Sequence, residues 1–339
     1  MEYEKYRKRW NKCFIHDKIL PEWVYRCINI LMYLFDFWYY FLLLFARLQY
    51  PSRRKKYSFS ICSIFKDESL SIKEWLEYHI LIGVDHFYLY NNNTSDDSLD
   101  ILEPYIKKGI VTLINWPYHP PCQVDAYNHF KDNYWEETQW VGFIDLDEFI
   151  CLKRASKITE WLNKYKNYPS IVIYWKMFGS SGIIEHDKSK LIIEQYIIAW
   201  DKFDDIGKPI FNTRFKATET SLKYIHKLPA ELNIMGFTFF IPPINEFKYF
   251  LNFRSNRVGF NKSTSDFTTQ INHYVTKSYN EYFIKRRQRG DVNSFSNNTS
   301  IKSYQYTQLF AIKADYTIYR FLPFLKVRMS KNNTKNYFD

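Results

Sequence analysis

Glycine and proline are scarce in this chain, 9 and 12 among 339 residues, which excludes collagen-like, mucin-like and low-complexity classes. The five cysteines, Cys13, Cys27, Cys62, Cys122 and Cys151, are odd in number and form no C-x-x-C pair, so neither a disulfide framework nor a structural zinc site is expected. No small-residue cleavage site follows the N-terminal apolar run, which argues against a removable signal peptide. What the chain does hold is apolar residues, 46% of the total with 24% charged, so it reads as folded. Its length suits one large α/β domain or two small ones. Aromatic residues reach 20%. Rings with polar edges must supply much of the buried surface, and some are expected to line interfaces or sugar-like ligands.

The net charge of +11 is unevenly placed. Residues 1–56 carry 12 Lys and Arg against 5 Asp and Glu, leaving 35 against 31 in the rest. A nucleic-acid binder carries its basic surplus on the folded body, so nucleic acid is not the expected partner. Here the surplus flanks Ile28 to Phe45, a run with 16 apolar residues in 18 and about 27 Å long as a helix. Such a run can be a span, an interfacial or re-entrant helix, or a buried helix. Asp36 near its centre and cations at both ends weigh against a span. Residues 1–56 are therefore expected to associate with a membrane surface, and residues 321–339 to form a basic tail.

From Tyr57 short apolar runs alternate with helical stretches, the pattern of βαβ units over a mostly parallel sheet. Strands are expected at Tyr57–Phe65, His86–Asn91 and Ile110–Asn115. Helices are expected at Ser71–Ile82, with Ile72, Trp75, Leu76 and His79 on one face and Ser71 as cap, then at Ser98–Lys107 and Cys122–Tyr134. Trp140–Ile144 reads as a buried strand ending abruptly in acids. Further on, Ser170–Phe178 and Leu191–Ala199 read as strands, and Asn280–Gly290 as a basic helix ended by Gly290.

Asp145-Leu146-Asp147 is the sharpest chemical feature. Residues two apart on extended backbone point the same way, so two carboxylates converge while Leu146 enters the core. Hard oxygen ligands at the carboxyl end of a strand suit Mg²⁺ or Mn²⁺; a solvated strand end is the plainer alternative. Phe65-Lys66-Asp67-Glu68 and Asn91 to Asp97 end the first two strands, where a nucleotide could lie or a structural turn could stand. Gly179-Ser180-Ser181-Gly182 offers backbone donors or a simple turn. His273 is a candidate third metal ligand, or a structural histidine. Lys277, Lys285, Arg286 and Arg289 are cations that could screen a diphosphate, or a solvated helix face.

Taken in order, FKDES, EWLEYH, GVDHFYLYNNNTSDDS, Gln123 with Ala126-Tyr127-Asn128, WVGFIDLDEF, YWKMFGSSG and INHYVTKS followed by KRRQRG resemble glycosyltransferase family 92 and its bacterial family-2-like relatives. The resemblance runs from about Ile61 to Gly290 and implies a GT-A fold over residues 57–320, α/β with a mixed, mostly parallel central sheet flanked by helices; the apolar run Ile28–Phe45 is expected to add an N-terminal helix before it. The resemblance also implies a nucleotide-diphosphate sugar donor, a divalent cation, and a glycan or lipid-linked acceptor. Carried over by position, Asp145 and Asp147 are the donor and metal acids and His273 completes the metal shell. Phe65, Lys66, Glu68, Asn91, Asp96, Gln123 and Lys277 face the donor. Asn91 stands where relatives often have Asp, and Asn93 where they often have Gly.

The reaction so implied is inverting hexosyl transfer, with Asp147 catalytic and Glu185 the favoured base for the acceptor hydroxyl, ahead of Asp187 and Glu219. Two rivals stand beside it: a nucleotidyltransferase, which would show an early Gly-rich phosphate loop that FKDES lacks, and a non-catalytic membrane-associated scaffold. Sequons at Asn92 and Asn93 fall in the proposed donor loop, where a glycan would obstruct the nucleotide. With an Asn-, Lys- and Tyr-rich composition, they favour a cell-envelope polysaccharide enzyme on the cytoplasmic side of a bacterial inner membrane, peripheral, monotopic or single-pass.

Overall fold

The structure is a computed structural model that describes residues 22–204, 206–218, 226–251, 264–285 and 301–331. Chain order is α1 (Glu22–Gln49), β1 (Tyr57–Phe65), α2 (Ile72–Leu81), β2 (His86–Asn91), α3 (Ser98–Lys107), β3 (Val111–Asn115), α4 (Gln123–Tyr134), β4 (Thr138–Phe143), β5 (Glu148–Leu152), α5 (Ile158–Leu162) and β6 (Ser170–Met177). It continues through α6 (Ile192–Gln195), β7 (Ile198–Trp200), β8 (Gly207–Asn212), β9 (Lys216–Ala217), β10 (Ala230–Ile234), β11 (Phe237–Ile241) and β12 (Thr269–His273). Last come α7 (Ile301–Phe310), β13 (Ala311–Ala314) and α8 (Leu322–Lys331).

Eight strands form one mixed sheet in the order β3-β2-β1-β4-β8-β6-β12-β5. The first four are parallel, as the βα alternation predicts. Beyond β4 the sheet turns antiparallel at β8 and β6, then runs parallel from β6 to β12 and antiparallel to β5. Only residues 144–147 join β4 to β5, although three strands lie between them in the sheet. Five Cα steps reach about 17 Å, less than the roughly 19 Å that four strand spacings need in a flat sheet. The sheet must therefore curl, and the acidic turn bridges its closing gap.

Helix α2 fixes this closure. Ile72, Trp75, Leu76 and His79 are fully buried, as their spacing predicts. Trp75 Nε1 donates to the Glu148 carbonyl at 2.8 Å, Tyr78 Oη to the Ile150 carbonyl at 2.9 Å, and the Ile150 N–H to His79 Nε2 at 3.4 Å. These side chains satisfy backbone groups of the edge strand that would otherwise be buried without partners. Ser71 does not cap α2, contrary to expectation: its hydroxyl donates to Glu68 Oε2 at 2.7 Å.

Three further expectations change. Leu191–Ala199 is not one strand, because the buried Glu74 carboxylate accepts the N–H groups of Ile192 and Ile193 at 2.7 and 3.0 Å and so winds the short helix α6 before β7 begins. The basic helix expected from Asn280 is a π-helical turn over Glu281–Lys285, and residues 286–290 lie outside the described residues. The stretch from residue 321, expected as a tail, forms α8, with Leu325 buried and Arg328 Nε donating to Glu77 Oε2 at 2.8 Å. Residues 332–339 lie outside the described residues.

Helix α1 belongs partly to the body. Tyr39, Leu42, Leu43 and Ala46 join the main core, Tyr39 stacks on Phe250, and Arg47 Nε donates to the Asn167 carbonyl at 3.0 Å. The cations expected to flank a lipid surface are partly spent on protein: Lys55 is bonded to Thr213 and the Trp135 carbonyl, and Lys56 lies 3.7 Å from Glu137. Among the described residues no helix is long and apolar enough to cross a membrane.

Candidate active site

The turn between β4 and β5 places Leu146 in the core, 3% exposed, and leaves its two acids facing different partners. Asp145 Oδ1 accepts from Gln123 Nε2 at 3.0 Å and Tyr127 Oη at 3.3 Å, both from α4. Its Oδ2 accepts from Lys208 Nζ at 2.7 Å. Asp147 instead lies beside His273, with Nε2 and Oδ1 3.6 Å apart. The backbone secures that pairing, because the Tyr274 N–H donates to the Asp147 carbonyl at 2.8 Å and His273 pairs with Glu148 across β12 and β5. Both acids act on one buried group of side chains, since Lys208, Glu148 and His273 each feel the charge of Asp145 and of Asp147. Lys208, entering from β8, makes the direct ion pair with Asp145.

Glu148, fully buried, completes the turn: its Oε2 accepts the Asp145 N–H at 3.0 Å and lies 3.7 Å from Lys208 Nζ. Burial pushes the Glu148 carboxyl up to about 8, although the Lys208 ammonium opposes this. Burial lowers the Lys208 pKa, but Asp145 and Glu148 outweigh it and hold the ammonium up to about 12. For His273 burial likewise opposes the charge, and Asp147 overcomes it, raising the imidazole above its ordinary value. Among the described residues two buried atoms here, Glu148 Oε1 and His273 Nδ1, have no hydrogen-bond partner. Among the described residues no three His, Cys, Asp or Glu side chains gather so as to hold a metal ion, so Asp145, Asp147 and His273 are not assembled as a three-ligand set.

The loops after β1 and β2 are laced to each other. Asp67 Oδ1 accepts the Ser95 N–H at 2.6 Å, Thr94 Oγ1 accepts the Asp67 N–H at 3.3 Å, and Asp96 Oδ2 accepts the Ser69 N–H at 2.8 Å. Asp96 is thus committed to the loops; burial works against its charge, but the Ser98 and Ser69 hydrogen bonds lower its pKa. Asn93 adopts φ +54°, the left-handed conformation for which glycine is favoured. Asn91 Oδ1 accepts the Thr94 N–H at 3.0 Å. Phe65 lies in the core, 2% exposed, which leaves its side chain no way to a ligand. Lys66 is partly exposed at the strand end. Lys277, at φ +45° and largely buried, reaches Glu68 Oε2 and Ser71 Oγ, each at 3.4 Å.

Other candidates fall outside this grouping. The Gly179–Gly182 stretch is a structural turn: Ser180 donates to Gln308 Oε1, and Ser181 Oγ accepts the Ile197 and Ile198 N–H groups. Glu185 is exposed, and no hydrogen bond or ion pair of the described residues joins it to Asp145 or Asp147. Asp187 pairs with Ser189 and Lys190. Glu219, Arg286 and Arg289 lie outside the described residues, as does the side chain of Lys285. Sequence reasoning missed Lys208 altogether. A lysine directly before the apolar run Pro209-Ile210-Phe211 was the available signal, since a charge buried in a strand requires partners.

A curled mixed sheet with an acidic turn after a parallel strand defines an α/β protein, a class in which ligands commonly bind beyond the carboxyl ends of the strands. The chain belongs to glycosyltransferase family 92, whose profile matches residues 55–309. It is 31% identical to a glycosyltransferase family 92 protein of Oryza sativa subsp. japonica over 35% of this chain and 20% of that protein. It is 24% identical to the galactan beta-1,4-galactosyltransferase GALS1 of Arabidopsis thaliana over 56% of this chain and 40% of that protein. The matches thus span about a fifth to two fifths of those relatives' own lengths. Among solved structures, S. aureus TarS 1-349 in complex with UDP-GlcNAc is 15% identical over 46% of this chain and 45% of that one, with a TM-score of 0.32. The expected bacterial inner-membrane location is corrected: these curated relatives are plant proteins, and no described helix is long and apolar enough to cross a membrane.

Proposed function

We propose that this chain is a metal-dependent glycosyltransferase of GT-A type that moves a hexose from a nucleotide-diphosphate donor to a glycan acceptor with inversion. The observation that carries the reading is the Asp145–Asp147 turn, which lies inside the family match and faces both a lysine and a histidine. The names of the galactan galactosyltransferase relatives make a galactosyl donor and a galactan-type acceptor the first pair to try.

The residues that would hold a divalent ion are Asp147 and His273. The 3.6 Å between His273 Nε2 and Asp147 Oδ1 suits two ligands of one ion, Mn²⁺ or Mg²⁺, with donor phosphates and water filling the remaining positions. When bound, the ion supplies positive charge against the departing diphosphate. The chain's own groups do the rest. Lys277, held by Glu68 and Ser71, lends a fixed cation at the donor side. Gln123 and Tyr127 orient Asp145 toward the donor. Glu185, exposed to solvent, is the proposed base that takes the acceptor proton.

The test is transfer from a panel of nucleotide sugars, UDP-galactose first, to galactan oligosaccharides with and without Mn²⁺. Asp147→Asn is expected to lose transfer by at least about 100-fold with a melting temperature close to the parent's. An active Asp147→Asn enzyme would end the reading.

A further inference from the structure

We infer that Lys153 and Lys176 form a second anion site, for a phosphate group, on the face of the sheet opposite His273. The inference goes beyond the transfer reading above and does not depend on it. Strand alternation separates the two faces. Trp175 packs on His273 with ring centroids 4.6 Å apart, so Lys176, the next residue of β6, points to the other side. That side is shared by Asn272, which Lys176 meets in register, and by Gln270, whose Nε2 donates to Asn272 Oδ1 at 2.8 Å. Lys153 follows β5 directly, and its N–H donates to the Thr268 carbonyl at 2.8 Å.

Both lysines close on one ring: Lys153 Nζ lies 5.0 Å and Lys176 Nζ 5.3 Å from the Phe203 centroid. Phe203 is held in place, buried and edge-on to Phe267. Lys176 is 8% exposed, and among the described residues neither ammonium makes a hydrogen bond or an ion pair. Asp315, the acid whose charge Lys176 feels most, is committed elsewhere: its Oδ1 accepts the Thr317 N–H at 2.9 Å and its Oδ2 accepts from Gln270 Nε2 at 3.1 Å. Burial lowers both lysines, Lys176 to about 8; for Lys176, Asp315 opposes the shift and Lys153 reinforces it. Cations kept this far from water without a counter-ion are disfavoured, and a cation–π contact offsets only part of that. An oxyanion between the two ammoniums would satisfy both. Two cations match a doubly charged phosphate better than a single carboxylate. Lys313, exposed on β13, adds a third cation at the rim against the exposed Asp201.

Inorganic phosphate titrated into the full chain by calorimetry, against sodium chloride of equal ionic strength, tests this. The parent is expected to bind phosphate beyond the chloride control, and Lys153→Met and Lys176→Met each to weaken that binding by about 10-fold or more. In phosphate-free buffer Lys176→Met should melt at or above the parent's temperature, because it removes a buried charge that has no partner. Added phosphate should raise the parent's melting temperature and leave the variant's unchanged. Glucose 6-phosphate in the same titration separates the sources: tighter binding than inorganic phosphate supports a phosphorylated saccharide, equal or weaker binding the free ion. If Lys176→Met fails to fold, Lys153→Met, at a half-buried position, decides alone. A parent that binds no phosphate, or folded variants that keep its affinity within about 3-fold, overturn the inference while leaving the transfer reading intact.

Discussion

The two halves of the sheet carry their chemistry in different ways. In the parallel half, β3 to β4, polar residues sit in loops beyond the strands, where Asp67, Thr94, Ser95, Asp96 and Ser98 share several hydrogen bonds. In the mixed half, β8 to β5, the charged side chains near the turn sit within strands: Lys208 is the second residue of β8, Glu148 the first of β5 and His273 the last of β12. The contrast is one of redundancy. A laced loop can lose one tie and keep its shape, whereas a strand that delivers one buried charge depends on its register.

Gly207→Ala should break this contrast most sharply. Its Cβ would meet the Ile173 carbonyl oxygen at 2.1 Å and the Tyr174 Cα at 2.8 Å, both backbone atoms that no rotamer change can move. A loss of roughly 3 to 5 kcal/mol is expected from denaturant unfolding. A variant of parental stability would mean that β8 is free to shift and that Lys208 is not fixed by register.

Glu74 joins the halves, because it lies on α2 and caps α6. Burial raises its carboxyl from 4.5 to about 7. An acid raised on folding contributes stability fully below its unfolded value of 4.5, and that contribution is lost as pH rises through about 7. Between those limits the parent should lose on the order of 3 kcal/mol from this group. Glu74→Gln should flatten the slope, measured by unfolding at pH 4.5, 6 and 7.5. Parallel slopes in parent and variant would show that Glu74 does not titrate between the two states.

His273→Ala addresses the end of β12. Loss of a ligand should weaken Mn²⁺ binding by about 100-fold, the upper end of what even outer partners cost. Calorimetry showing the parent's affinity would make His273 a packing residue against Trp175, whose ring centroid lies 4.6 Å away. The smallest change is expected in the laced half: Ser71→Ala removes the hydroxyl bonded to Glu68 and should cost about 1 kcal/mol. A much larger cost would show that the Glu68–Lys277 pair hangs on this one group.

The same contrast governs how much could be read from the chain. Strands β1 to β4 and helices α2 to α4 were legible because short apolar runs alternate with helical periodicity, and Asp145 and Asp147 because an acid pair interrupts one such run. Asp145's partner Lys208 was not legible, since it depends on β8 pairing antiparallel beside β4, a long-range pairing the local sequence does not announce. The Leu191–Ala199 run looks extended from its Ile content, yet a carboxylate more than a hundred residues earlier winds its start into a helix. Ser71 likewise has the chemistry of a cap and spends it on Glu68. In each case the local sequence offered a sound choice and a distant side chain made a different one.

The bonds from α2 to β5 bear on association between copies. Residues 148, 150 and 152 of this edge point their backbone groups outward, and Trp75, Tyr78, His79 and Arg320 engage them. A second chain cannot add a strand there without displacing these side chains. The edge left for strand addition is β3, five residues from Val111 to Asn115. One border of the sheet is sealed by indole, phenol, imidazole and guanidinium groups acting as a surrogate ninth strand, and any cross-β growth would have to begin at the other.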